Sequence, residues 1–170
     1  MKDPKPYDNL GPLAILRNTR VSDIMETEVI TVREDEPLSI VHNTFVAHHL
    51  THVIIVDETN RISGIISQKY LYKAHSPRKI MSMLDYDSDK LLDGDSYYSK
   101  EALNSFRLKK IMKASPFTVK PDKSVFYVAS LMAKRMLGCV PVVDNNKYVL
   151  GYISEQILVK FFVKVMSLDS

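Results

Sequence analysis

The chain has 170 residues, 45% of them hydrophobic and 25% charged, with a net charge of +3, the make-up of an ordinary globular protein of one large domain or two small halves. Its single cysteine, Cys139, excludes an intrachain disulfide and fits a reducing compartment. The N-terminal Met-Lys-Asp-Pro-Lys-Pro-Tyr has no apolar stretch of a secretory signal, and Lys160 and Lys164 interrupt the greasiest segment well short of the roughly 18 residues of a membrane span, so a cytoplasmic protein outside the membrane is expected.

Charge is unevenly spread. Residues 85–101 carry six acids against two lysines, a local −4 that leaves +7 on the remainder. That modest excess suits anionic small molecules and is too weak to argue for nucleic acid.

In chain order, residues 1–20, with Pro4, Pro6 and Pro12, read as an N-terminal arm whose Leu13–Leu16 stretch is apolar enough to pack on a neighbouring element. An apolar turn at 21–25 leads to a β-branched strand at 29–32. Pro37 suits the first position of a helix, and Leu38, Val41 and Phe45 then form an amphipathic stripe. Residues 53–56 read as a buried strand, 57–61 as a polar turn and 62–66 as a partner strand. Ser67 is placed to cap a second helix that Pro77 ends or bends.

Residues 77–106 read as an acidic, mobile connector. Its alternating Asp85, Asp87 and Asp89 imitate the start of a calcium loop, but Lys90 and Ser96 stand where that loop needs glycine and glutamate. A solvated linker is the expectation.

The order then repeats. Asp57 matches Asp144, Gly64 matches Gly151 and Ser67 matches Ser154, each 87 residues apart. The same offset carries Ile24-Met25 to Ile111-Met112, Thr31-Val32 to Thr118-Val119, and the stripe to Val125, Val128 and Met132. The chain is two copies of one strand–helix–strand–strand–helix unit, with repeat 1 at 21–76 and repeat 2 at 107–170. In the second copy, strands are expected at 118–119, 140–143 and 148–153, with Ser154 capping the last helix. That helix is apolar nearly all round, and Ile157, Phe161, Phe162 and Val165 exceed what one small sheet can cover, so a partner surface is expected.

The motifs Ile-Thr-Val (30–32), His-Val-Ile-Ile-Val-Asp (52–57) and Gly-Ile-Ile-Ser (64–67) are echoed by Phe-Thr-Val (117–119), Cys-Val-Pro-Val-Val-Asp (139–144) and Gly-Tyr-Ile-Ser (151–154). In order and duplication they resemble the CBS-domain pair, or Bateman module, over about 21–73 and 107–165. The resemblance implies an α/β fold of tandem repeats packed with pseudo-two-fold symmetry, two clefts that bind AMP, ADP, ATP or S-adenosylmethionine, a homodimer, and a regulated protein partner that it does not identify. It assigns ligand contacts to Ile30, Thr31, His52, Val53, Ile54, Ser67, Lys69 and Tyr70 in the first copy. In the second it assigns them to Phe117, Thr118, Cys139, Val140, Pro141, Ser154 and Ile157.

The residues themselves agree in part. A strand running through Gly64 into Ser67 at a helix start presents backbone N–H groups, a hydroxyl and the positive helix end, which phosphate favours; Gly151–Ser154 offers the same. The alternative is that both serines simply cap helices, worth about 1 kcal/mol each. Nucleotide-binding copies in the family carry aspartate three residues after this serine for the ribose hydroxyls, where this chain has Tyr70 and Ile157. That loss costs about 1.5–3 kcal/mol, one to two decades of affinity. Lys69 and His52 can compensate through phosphate, whereas the second copy is drier.

His42, His48, His49 and His52 cluster, but His48 and His49 project about 100° apart on a helix with no cysteine or carboxylate beside them, so surface histidines near a helix C-terminus are expected rather than a metal site. Cys139 is expected as a small buried hydrophobe. No nucleophile–base–acid set, phosphate loop or paired carboxylate recurs, so a regulatory ligand-sensing module without cofactor or catalysis is the expectation, with a ligand-free dimerisation or interaction module as the alternative.

Overall fold

The computed structural model describes residues 11–69 and 108–167. In chain order it contains α1 (Pro12–Asn18), a 3₁₀ turn (Val21–Asp23), β1 (Thr31–Arg33), α2 (Leu38–His48), β2 (His52–Val56) and β3 (Ile62–Ser67). After residue 107 come α3 (Leu108–Ile111), β4 (Lys113–Ala114), α4 (Val125–Arg135), β5 (Cys139–Val143), β6 (Val149–Ser154) and α5 (Glu155–Met166). No described helix is long and apolar enough to cross a membrane. The predicted connector, its alternating acids and the stop at Pro77 lie outside the described residues.

The chain divides into two compact units, and their boundaries do not follow the order of the sequence. One unit is Ile30–Pro116; the other joins Met1–Val29 to Phe117–Ser170. The short opening segment of each repeat is thus packed with the other repeat.

In the Ile30–Pro116 unit the sheet order is β1-β2-β3-β4, with β1 parallel to β2 and the rest antiparallel. Period-two alternation sends Val32, Val53, Ile55 and Ile66 to one face, where they meet Leu38, Val41 and Phe45 of α2. Leu108 and Ile111 of α3 complete this core. Burying such side chains contributes about 1.5–3 kcal/mol each.

The other unit builds its core from the corresponding positions. Val119, Val140, Val142 and Ile153 meet Val125, Val128 and Met132 of α4, and Val21, with Ile24 and Met25 packed against it, fills the place that Leu108 holds elsewhere. Backbone bonds dock this N-terminal segment: Val21 N–H donates to Lys123 O (2.7 Å), Ser22 N–H to Pro121 O (3.0 Å) and Val125 N–H to Thr19 O (2.9 Å). Part of the predicted arm is therefore helical, and Ile15 of α1 is buried in this unit.

The repeat landmarks have structural reasons. Asp57 Oδ1 accepts from the Thr59 and Arg61 N–H groups (2.8 and 3.0 Å), and Asp144 Oδ1 from those of Asn146 and Tyr148 (2.9 and 2.8 Å). Each carboxylate closes the turn between its two strands, where Asn60 and Lys147 take left-handed backbone (φ 60° and 69°). The Thr59 hydroxyl, together with the Arg61 and Thr59 N–H groups, holds the Asp57 carboxyl below its ordinary range.

The glycines mark a close approach. A Cβ on Gly64 would collide with Met112 Sδ, and one on Gly151 would stand 2.6 Å from the Glu26 carbonyl oxygen and 2.9 Å from Met25 Sδ. Gly64 thus receives the methionine near the start of repeat 2, and Gly151 the one near the start of repeat 1.

Three expectations shift. The first strand runs 31–33 rather than 29–32, and Pro37 stands outside α2 as its N-cap. The second-copy strand at 118–119 shrinks to a single bridge, Val119 to Val142. The last helix is not buried on several sides: Val165 lies in the core and Ile157, Phe161 and Phe162 lean on it, so these four do not form the open face. The open stripe is instead Val159, Val163 and Met166, 58%, 64% and 61% exposed.

The two glycines differ in what opposes them, a flexible side chain at Gly64 and backbone at Gly151. Gly151→Ala is expected to cost about 2–3 kcal/mol in urea unfolding and Gly64→Ala about 1–2, because Met112 can swing aside. Equal or negligible losses would show that the methionine segments do not seat on these strands.

Candidate functional site

The sheet faces turned away from α2 and α4 gather most of the residues expected to bind ligand. In the Ile30–Pro116 unit, Thr31 stands beside Ile54, Ile54 opposite Ile65, and Ile65 opposite Lys113. One row thus crosses four strands on one face, with an exposed threonine at one end, two buried isoleucines and an exposed lysine at the other. The adjacent row is His52 opposite Ser67. The His52 ring Nδ1 lies 3.0 Å from Thr51 Oγ1.

The second unit builds the same face. Val119 lies abreast of Val142 in parallel register, which puts Thr118 beside Pro141; Pro141 stands opposite Tyr152, and Tyr152 opposite Glu26. Glu26 and Tyr152 exchange both backbone bonds, at 3.1 and 3.0 Å. Cys139 opposite Ser154 makes the adjacent row.

At the end of β3, Ser67 is followed by helical Gln68 and Lys69, and the Gln68 N–H donates to Thr51 O at 2.9 Å. At the end of β6, Ser154 caps α5: its Oγ accepts from Ile157 N–H at 3.3 Å, and Glu155 N–H donates to Gly138 O at 3.1 Å. The capping role is therefore realised at Ser154, and two first-turn N–H groups are engaged by the protein itself.

Other expected residues sit elsewhere. Val53 and Val140 are wholly buried on the helix side, because the alternation that places His52 and Ile54 on one face sends these valines to the other; only their backbone borders the rows. Ile157 leans on the second core. The Phe117 ring lies under the Arg135 guanidinium, 5.2 Å from centroid to Cζ, on the α4 side. Ile30 is half-buried just before β1, and Tyr70 lies outside the described residues.

Cys139 is buried, and loss of solvent lifts its thiol from the ordinary 9.0 to about 12. The half-buried Tyr152 phenol is also raised, first by desolvation and then by the Glu26 charge. His48 closes α2 and His49 takes the left-handed position after it (φ 51°). Among the described residues no three histidines, cysteines or carboxylates converge as a metal site. A surface depression of about 470 Å³ at Gly11–Ala14, Arg17 and Asn18 involves none of the expected residues.

The sequence assigns no ligand contact to Lys113, Ile65, Tyr152 or Glu26. Glu26 and Lys113 are 87 residues apart, but their place beside the opposite repeat becomes visible only once the exchanged segments are seen.

The family model for the CBS domain matches residues 21–76 and 108–164. Homoserine O-acetyltransferase of Methanosalsum zhilinae is 27% identical over 138 residues, covering 81% of this chain but 23% of that protein. The chain thus spans about a quarter of the length of that relative. A CBS domain-containing protein of Dictyostelium discoideum is 24% identical over 147 residues, 86% of this chain and 92% of that one. The CBS domain pair of protein MJ0100, solved in complex with 5′-methylthioadenosine and S-adenosyl-L-methionine, superposes with a TM-score of 0.67 over 86% of this chain and 97% of that one, at 24% identity.

Burial of Cys139 has a pH consequence. The folded thiol keeps its proton up to about 12, whereas the unfolded chain releases it from about pH 8.5. The group's stabilising effect is therefore full below that pH and lost progressively as pH rises toward 12. The native protein at pH 8 is expected to resist Ellman's reagent until denatured, and Cys139→Val to flatten the alkaline decline in stability. Rapid labelling of the native thiol would contradict its burial.

Proposed function

This chain belongs to the CBS-domain family, and we propose that it is a regulatory module that senses an adenine nucleotide or a related adenosine-bearing metabolite. The observation that carries this reading is the duplicated row, Thr31-Ile54-Ile65-Lys113 and Thr118-Pro141-Tyr152-Glu26, each beside a serine that leads into a helix. An apolar centre suits a flat heterocycle, and the hydroxyl and helix start suit a polar tail. The MJ0100 pair, of the same fold, was solved with two adenosine-bearing ligands, which supports the ligand class.

Ile30, Thr31, His52, Ile54, Ser67, Lys69 and Tyr70 are the contacts proposed for the first copy, with the backbone of Val53. For the second they are Thr118, Cys139, Pro141 and Ser154, with Phe117, Ile157 and the backbone of Val140 at its border. The role is regulatory rather than catalytic: the chain matches 23% of the acetyltransferase, and no reaction step is assigned to it. Ligand occupancy would act through its differential affinity for two conformations. A buried single cysteine suits a reducing compartment, and the cytoplasm is the proposed location.

Calorimetry with AMP, ADP and ATP tests the ligand class. Affinity is expected to rise with phosphate number, because each charge-assisted hydrogen bond to Lys69 or His52 adds about 1.5–3 kcal/mol. Ser67→Ala is expected to weaken all three. AMP binding as tightly as ATP would contradict the phosphate contacts, and no binding by any of the three would favour an interaction module without ligand.

The open stripe of α5 supports a homodimer as a further part of the reading. Val159 and Val163 lie one turn apart with Met166 one turn beyond, all more than half exposed, and two-fold pairing of identical patches is the commonest closure. Light scattering at micromolar concentration is expected to give twice the chain mass, and Val163→Glu to halve it. A monomer in the unmodified chain would remove the dimer.

A further inference from the structure

Four of the positions that distinguish the two sheet faces carry charge or potential charge, and every difference runs in the same direction. Lys113 ends the first row where Glu26 ends the second. Lys69 corresponds to Gln156, Gln68 to Glu155 and His52 to Cys139, each 87 residues apart. We infer that the two faces select ligands of opposite character: the first takes an adenosine ligand with an anionic phosphate tail, and the second takes one whose tail is uncharged or cationic. This inference rests on the reading of both faces as adenosine sites and adds the charge class that each accepts.

The geometry places the charges where a tail would lie. Neighbouring strands are about 4.8 Å apart, so the row from Thr31 to Lys113 spans about 14 Å of sheet, close to the length of an extended nucleotide. A ligand anchored at the threonine end therefore brings its tail toward Lys113 in one copy and toward Glu26 in the other. At physiological salt, screening acts over about 8 Å, so the terminal charge is felt by a tail in its own row.

The second face is set against phosphate in three further ways. Glu26 Oε1 accepts the Thr27 and Glu28 N–H groups (3.0 and 3.2 Å), so its own backbone holds the carboxylate in place. Glu155 occupies the first turn of α5, where it meets the positive helix end that would otherwise favour an anion. Ser154 Oγ engages the Ile157 N–H, one of the groups a phosphate would use. Between them stands Tyr152, whose half-buried phenol keeps its proton, so a neutral hydrogen-bonding group replaces the Ile65 of the first row.

Calorimetry on the full chain in 0.15 M salt, with ATP and the uncharged 5′-methylthioadenosine as probes, tests this. The unmodified chain is expected to bind one ATP and one 5′-methylthioadenosine without competition. Lys113→Glu should weaken ATP at least tenfold and leave 5′-methylthioadenosine within twofold; Glu26→Lys should raise ATP stoichiometry from one to two per chain. Both positions are exposed, and if either reversal unfolds the chain, Lys113→Met and Glu26→Gln serve with smaller shifts in the same directions. Competition of the two probes for one site, or charge reversals that leave ATP affinity and stoichiometry unchanged, overturns the inference while leaving the adenosine reading intact. Failure of the unmodified chain to bind either probe overturns both.

Discussion

The contact on which most of the structure depends is a methionine resting on a glycine that has no room for a Cβ. Met112 lies on Gly64 and Met25 on Gly151, and in each case the methionine comes from the opening segment of the other repeat. Leu108 and Ile111 enter one core with Met112 beside them, and Val21 enters the other with Ile24 and Met25. Neither sheet closes its helix-side core with residues of its own repeat alone. The apolar area these segments remove from water makes the exchange favourable, and the glycine lets the segment come close enough to pair with the strand, as Ala114 does with Gly64 and Glu26 does with Tyr152.

That exchange also determines what each sheet face presents. The residue following each methionine becomes the last member of a row, and the two residues delivered in this way are Lys113 and Glu26. A fold built from two copies of one unit thereby acquires two unlike surfaces over matching cores: Val53, Ile55 and Ile66 and their counterparts Val140, Val142 and Ile153 are all buried aliphatic side chains, while the charged rim differs. Core packing constrains one face of each strand and leaves the other free to diverge, as period-two alternation allows.

Much of the fold was legible in sequence because the repeat supplied its own check. The stripe of Leu38, Val41 and Phe45 recurs at Val125, Val128 and Met132, and all six are buried. The polar turns at Asp57 and Asp144 stood out for the same reason. The exchange was not legible, because hydrophobicity is non-directional: Val21–Met25 and Leu108–Met112 are equally able to pack on either sheet, and nothing local says which. Gly64 was legible as a landmark, but the space it makes for Met112 was not. The orientation of α5 was hidden by its near-continuous apolar content, which gave no cue that Val165 would turn inward and Val163 outward. At the candidate site, alternation alone should have separated His52 and Ile54 from Val53, whereas Lys113 and Glu26 needed the three-dimensional exchange.

The central claim is that these sheet faces hold adenosine-bearing ligands. Native mass spectrometry of the purified chain tests it most directly, because a bound metabolite is read as added mass. The account predicts a discrete adduct with the mass of an adenosine-bearing compound, either retained through purification or formed when ATP or 5′-methylthioadenosine is added at micromolar concentration. A spectrum that shows only the bare chain mass after addition of either compound would contradict it.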